Sequence, residues 1–429
     1  VVKVTDIKKA YDKLASKQRL YKTLTDYYEG NQPLKYSAER LRDAFDSSLT
    51  RFIQNWCAVV IDCVLDRLTF KGWDADADTV NDTLDEFYAD NNMQVLSHKV
   101  HKNALITGES FIIFDQVEKE TRAFYNDSRN VQLFYDDNNN KLFGAKWWVD
   151  AETDKKRLNL YYPDRIEKYI AGKSVSSEKS FVLENTDINP FKPFIPIVHF
   201  QTGYKELDNV ITIQDAINKL FSDMMVVGEF NAFKQRWMVS NADITNLKNS
   251  PKTILQLPKG TSDEEGTQVG EFSAADLKGF LDAMDKLANS IAIISRTPKH
   301  YFMDTGSAIS GEALIVMESP LVKKVRQIQA NFTQAWLETA DFIMGAKQEG
   351  ISLVWEPIET VQPLMQAQEM MTLKNLGVPL MTILRRAGWG ADEIKQYEDD
   401  AQVEKSSKAT ETALLLEEIR KRDAQNNQV

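Results

Sequence analysis

Residues 211–239 contain no proline and one glycine, Gly228, and are apolar on most sides. Ile213, Ile217, Leu220, Met224 and Val227 recur at helical spacing along one stripe, and Phe221, Met225 and Phe230 cover another. A helix this apolar all round has no solvent face, so it must lie in a large core or between subunits. A second long helix opens at Ser273-x-x-Asp276, a capping-box pattern with Asp where Glu or Gln is usual. It repeats Leu277, Leu281, Met284, Ala288 and Ile291 along one face. Between the two rods, 240–272 is polar and broken by Pro251, Pro258, Gly260, Gly266 and Gly270, with one strand expected at Thr253–Leu257. The pattern is a stalk with a tip.

The flanking segments read as α+β, mostly helical. A helix carrying Ile7, Tyr11, Leu14, Leu20, Leu24 and Tyr28 should stop at Gly30, and a second is expected over 50–68 with Trp56, Val59, Val60, Cys63 and Val64 on one face. Helices over 79–91 and 93–107, the latter ending at Gly108, precede a buried strand at Ser110–Phe114. Short strands are expected near 131–135, 142–149, 157–161, 165–170 and 179–184, and the proline-rich 189–196 should be extended. Past the stalk, the loop 297–310 joins two rods, and a very long helix over 311–346 carries Pro320, which predicts a kink near 316–320. Strand 351–355 and a last set of helices over 364–425 close the chain.

Composition decides which chemistries to test. Lysine and arginine number 52 against 63 acidic residues, leaving −11, so the chain as a whole is no basic nucleic-acid binder. Cys57 and Cys63 are too few for a disulfide framework or a cysteine zinc site and read as buried small hydrophobes, which suits a reducing compartment. No stretch approaches the ~20 apolar residues that span a bilayer, and no signal-peptide pattern opens the chain. The chain starts at Val1, not Met, which leaves room for a preceding piece. Gly172-Lys173-Ser174 ends like a phosphate loop, but Glu167 stands where the loop needs glycine, so a hairpin turn is expected. Asp74-x-Asp76-x-Asp78 lacks the glycine and the bidentate glutamate of a calcium loop; Asp76 or Asp78 should cap the next helix. His98 and His101 share a helix face without a third ligand. No catalytic, cofactor or metal set emerges, and an enzyme is not expected.

In order and spacing together, several motifs are specific. They are Tyr27-Tyr28-Glu29-Gly30-Asn31, Asn55-Trp56 with Val60 and Asp62, Arg67-Leu68 with Gly72, and Ala104-Leu105-x-x-Gly108. They continue with Gln214-Asp215-Ala216-Ile217-Asn218-Lys219-Leu220-x-Ser222-Asp223 and Ala232-Phe233-x-Gln235-Arg236-Trp237. Arg296-Thr297-Pro298-x-His300-Tyr301 and Ser310-Gly311-Glu312-Ala313-Leu314 complete the set. With them the chain resembles, over nearly its whole length, the portal proteins (head-to-tail connectors) of siphophage-type tailed bacteriophages.

The resemblance implies a twelve-subunit ring at one capsid vertex, with double-stranded DNA passing through the axial channel without sequence reading. It implies N-terminal helices and an α+β wing at 1–210, stem helices at 211–239 and 273–296, and a clip at 240–272. It further implies a tunnel loop at 297–310, a kinked wing helix and strand at 311–362, and a helical crown at 363–429. The implied stem interface is Leu220, Phe221, Met224, Met225, Leu281 and Met284. The tunnel loop would present Lys299, His300 and Tyr301 to DNA, and the mildly acidic clip would present Asp263, Glu264 and Glu265 to a protein partner. Implied partners are the terminase large subunit, the head–tail adaptor, and the major capsid and scaffold proteins. No membrane or cofactor is implied; the expected place is the virion, and the host cytoplasm during assembly. The residues agree: all-round apolar helices suit a closed ring, and a net −11 suits a channel along which DNA must slide. Two other classes remain. One is a different ring-forming virion or adaptor protein, normally much shorter; the other is a cytoplasmic enzyme, which would need a convergent pocket.

Overall fold

The first helix, α1 (Val4–Glu29), runs unbroken to the expected stop at Gly30, whose φ of +72° is a left-handed value that side chains resist. The computed structural model describes residues 4–33, 53–172, 175, 177–232, 236–239, 268–271, 276–302, 310–359, 363–387, 394–397 and 399–403. The chain divides into two units, 1–358 and 359–429.

In the first unit α1 serves two cores. Ala10 and Leu14 pack with Phe143, Trp147 and Leu158, whereas Tyr21, Leu24 and Tyr27 join the main core. Leu20, expected on the apolar stripe, is 43% exposed. The inward position belongs instead to Lys17, whose ammonium reaches Glu109 and the Gln132 side-chain oxygen, both at 3.1 Å. A charge inside an amphipathic stripe requires such partners, and they lie far away in sequence.

After α1 come α2 (Trp56–Leu65), β1 (Phe70–Ala75), α3 (Asp78–Asp90) and α4 (Met93–Thr107), the last ending at Gly108 as expected. Neither Asp76 nor Asp78 caps α3: Ala77 occupies the cap, and the Asn81 amide closes the turn by bonding both backbone groups of Ala75. Eight strands follow: β2 (Glu109–Val117), β3 (Glu120–Asn126), β4 (Val131–Tyr135), β5 (Lys141–Val149), β6 (Lys156–Tyr161), β7 (Arg165–Ala171), β8 (Val182–Ile188) and β9 (Ile197–Gln201).

Strands β4 to β8 form an antiparallel meander in chain order, and β2 is paired between β3 and β9. The two sheets approach closely at Gly144, where an added Cβ would collide with Ile197. Strand β8 begins later than the sequence suggested, because a 3-10 turn at Glu178–Ser180 takes the first residues. The segment 189–196 is a turn, not extended chain. Buried Asn189 organises it, donating to the carbonyls of Tyr162 and Phe194 and accepting from the Phe191 amide.

Next come α5 (Ile211–Ala232), the strands β10 (Arg236–Val239) and β11 (Gln268–Glu271), α6 (Lys278–Ser295), α7 (Gly311–Met344) and β12 (Ile351–Trp355). The first stalk helix therefore ends at Ala232, before the expected 239, and Arg236–Val239 pairs with Gln268–Glu271 as an antiparallel ribbon. The second starts at Lys278, whose amide bonds the Asp276 carboxylate; Ser273 lies outside the described residues. Thr253–Leu257 also lies outside them. Ser310 caps α7 through the Ala313 amide, and the helix continues through Pro320. Strand β12 returns to pair with β1.

The main core centres on aromatic rings. Trp336 stacks on Phe70 with centroids 4.3 Å apart, and His101 stacks on Phe332 at 5.0 Å. Cys57 and Cys63 are buried there as free thiols, and burial pushes Cys57 up to about 12. The second unit contains α8 (Pro363–Asn375) and α9 (Leu380–Arg386), joined through Gly377 at φ +83°.

Candidate functional site

The root of the stalk is built from motif residues that lie far apart in the chain. Asn55 caps α2 by accepting from the Ala58 amide, and its side-chain amide donates to the Tyr28 carbonyl at 2.7 Å, beside Gly30. The Tyr27 hydroxyl donates to Asp215 at 2.6 Å, and that of Tyr28 to Asp62 at 2.7 Å. Gln214 accepts from the Trp56 amide at 3.0 Å and donates to Asn218, which accepts from the Gln54 amide at 3.1 Å. Ser222 bonds back to the Asn218 carbonyl. Gln214, Asp215, Asn218 and Ser222 are all buried on one face of α5. Sequence reasoning saw α5 as apolar on all sides and missed this polar stripe. The signal was present: amide, carboxylate and hydroxyl side chains at i, i+1, i+4 and i+8 share one helical face.

This inward polar face leaves apolar side chains elsewhere on the hairpin. Helices α5 and α6 pack together, and Met284, Ala288 and Ile291 are buried within the chain. Met284, expected at the interface, is 8% exposed in the single subunit. Leu220, Phe221 and Met224 are half-buried. Met225 and Leu281 are 40% and 50% exposed, and Ile293 and Val316 reach 70% and 72%. Exposed hydrophobes also occur on other elements, Ile188 at 83% and Val182 at 64% among them, so exposure alone does not single out the hairpin.

The hairpin leads directly into the loop. Helix α6 ends with Arg296 at φ +56°, and the Thr297 amide reaches back to the Ala292 carbonyl. Buried Lys324 fixes this end: its ammonium lies 2.8 Å from the Ser295 carbonyl and 2.6 Å from Glu206. Lys299–Tyr301 then forms a 3-10 turn. Lys299 is exposed. His300 is turned inward, with Nε2 3.8 Å from Glu318. The Tyr301 hydroxyl accepts from Arg67 at 2.8 Å and donates to Glu318 at 3.2 Å. Burial, helped by Glu318 and opposed by Arg67, raises Tyr301 above the ordinary phenol range, so it stays neutral. Of the three residues expected to face DNA, Lys299 alone presents an exposed side chain. Asp263, Glu264 and Glu265 lie outside the described residues.

A second polar cluster escaped sequence reasoning. Glu109 accepts from Lys17 and from Tyr21 (2.7 Å) on one oxygen, and pairs with His199 at 2.9 Å on the other. Burial alone would raise Glu109, but His199 and Lys17 outweigh it and hold the carboxyl down at about 2. With both oxygens engaged, it ties α1 to β2 and β9. His98 is exposed while His101 is buried between the Leu68 carbonyl and Trp336, so the pair does not converge. Among the described residues, no three His, Cys, Asp or Glu side chains are grouped to hold a metal, and no helix is long and apolar enough to cross a membrane.

Residues 7–407 match the family described as phage portal protein, SPP1 Gp6-like. The portal protein of Mycobacterium phage L5 is 23% identical over 344 residues, covering 71% of this chain and 68% of the relative. That of Mycobacterium phage D29 is 22% identical over 334 residues, with the same coverage. Among solved structures, the neck of a native gene transfer agent particle computed with C12 symmetry aligns at a TM-score of 0.48 and 11% identity, over 84% of this chain and 90% of its own. The virion of a native gene transfer agent aligns at 0.46 and 12%, over 81% and 91%. The chain belongs to the phage portal protein family, SPP1 Gp6-like.

Proposed function

We propose that the chain assembles into a closed ring of twelve at one capsid vertex and encloses the channel through which double-stranded DNA is packaged and ejected. The observation that carries the ring is the hairpin α5–α6. Its polar stripe turns inward and bonds within the subunit, apart from the unpartnered Asn218 Nδ2, yet Met225, Leu281 and Ile293 remain exposed on it. A heterologous ring covers such a surface by closing on copies of itself. In this reading 211–239 and 273–296 are the stem and 240–272 the clip. Asp263, Glu264 and Glu265 meet the terminase large subunit and later the head–tail adaptor. The wing and crown face the major capsid and scaffold proteins. The subunit is a structural part of the virion, made and assembled in the host cytoplasm.

Within the loop the exposed Lys299 is the DNA contact. Ring symmetry brings every copy to one constriction, where each ammonium makes a weak, salt-screened phosphate contact. The substitution Lys299→Glu leaves the folded loop root intact, because the side chain is already exposed. Rings of parental mass should form, and packaged DNA per particle should drop several-fold. Particles that package and hold DNA like the parent would remove Lys299 from the channel wall.

A further inference from the structure

A guanidinium bridges the loop root, helix α2 and helix α7. Arg67 follows α2 and donates through Nη1 to the Cys63 carbonyl of that helix at 3.1 Å. Its Nη2 donates to the Tyr301 hydroxyl at 2.8 Å and lies 3.2 Å from the Glu318 carboxylate. The guanidinium also stands 5.8 Å from the centre of the Tyr301 ring. The side chains of Arg67 and Glu318 are only 13% and 14% exposed, so this is not a solvent-screened surface pair. The adjacent Phe302 meets Trp56 of α2 edge-on at 5.9 Å.

Glu318 sits two residues before Pro320, which has no amide to bond the Val316 carbonyl. The segment 311–319 is therefore joined less firmly to the rest of α7 than an unbroken helix would be. From this geometry we infer that Arg67 is a positioning residue that latches the Lys299–Phe302 turn and the segment 311–319 to helix α2 as one body. The DNA-facing turn then moves only when that segment moves with it, and the latch sets how firmly the turn is held. The consequence for DNA rests on the ring reading above. The latch itself does not, because it lies within one subunit.

The test is amide hydrogen exchange on the assembled protein, comparing the parent with Arg67→Ala and with Tyr301→Phe. Arg67→Ala should speed exchange at Tyr301, Phe302 and the amides of 311–319 by about tenfold, with β2 and residues 321–344 unchanged. Tyr301→Phe removes a single hydroxyl and keeps the packing, so it should give part of the same local effect; if Arg67→Ala fails to fold, this variant decides. Combining the two should add little beyond Arg67→Ala, since both cut the same link. Parental exchange at the turn, or equal acceleration throughout the chain, would overturn the latch. Light scattering on the same samples reports the ring. A parent that does not assemble speaks against the ring, whereas assembled variants with unchanged exchange speak against the latch alone.

Discussion

Replacing Leu281 and Ile293 together by Glu should leave the subunit folded and abolish its assembly. In the single chain these side chains are 50% and 70% exposed, so each new carboxylate stays hydrated and costs about 0.5 kcal/mol or less. In the proposed ring the same positions would meet a neighbouring subunit. Removing an unpaired carboxylate from water costs several kcal/mol, and the penalty recurs at every contact around the ring. Circular dichroism should show a parental melting curve while light scattering reports one chain of 49.0 kDa. Rings of parental mass would place the subunit contact elsewhere.

Trp336→Ala should cost the first unit about 3–5 kcal/mol, measured as a lowered midpoint of chemical unfolding. Trp336 is fully buried, stacked on Phe70 and edge-on to Phe200. Its indole N–H donates to His101 Nε2 at 3.1 Å, and Nδ1 of that ring lies 3.0 Å from the Leu68 carbonyl, the place for a donated proton. Truncation thus opens a large cavity and leaves a buried imidazole acceptor without its donor. The histidine also gives the variant a pH signature. Burial lowers His101 from 6.5 to about 3, so the folded state keeps it neutral while the unfolded chain takes up a proton below 6.5. Its contribution is present above 6.5 and is lost as pH falls toward 3, by up to about 1.4 kcal/mol per pH unit. Water admitted to the cavity in Trp336→Ala should flatten that slope. A midpoint shift equivalent to less than about 1 kcal/mol would mean that the aromatic stack does not organise this core.

What was legible in the sequence follows the range of the interactions. Helix α4 with its Gly108 stop, and strands β4 to β7, are local patterns closed by turns, and they stand where periodicity put them. Arg236–Val239 does not: a short apolar run after a helix fits helix or strand equally, and its partner Gln268–Glu271 lies across the polar tip. Lys17, Glu109 and Asn189 were illegible for a related reason. A buried polar side chain needs partners, and those of Lys17, of Glu109 and in part of Asn189 lie far along the chain, where composition does not name them. Leu281 and Met284 show the limit for the site itself. Both belong to one apolar stripe, yet Met284 faces its own hairpin and Leu281 is left exposed. The period of the stripe identifies a helix; which residues are left for a neighbour depends on how α5 and α6 pack.

The central claim is a closed ring held by the stem, without metal or disulfide. Its most direct test is the mass and symmetry of the purified protein at micromolar concentration, by light scattering and electron microscopy, with and without reductant and chelator. The account predicts one species with an axial channel, at twelve times the 49.0 kDa chain mass, unchanged by either reagent. A stable monomer, or an assembly that dissolves on addition of reductant or chelator, would contradict it.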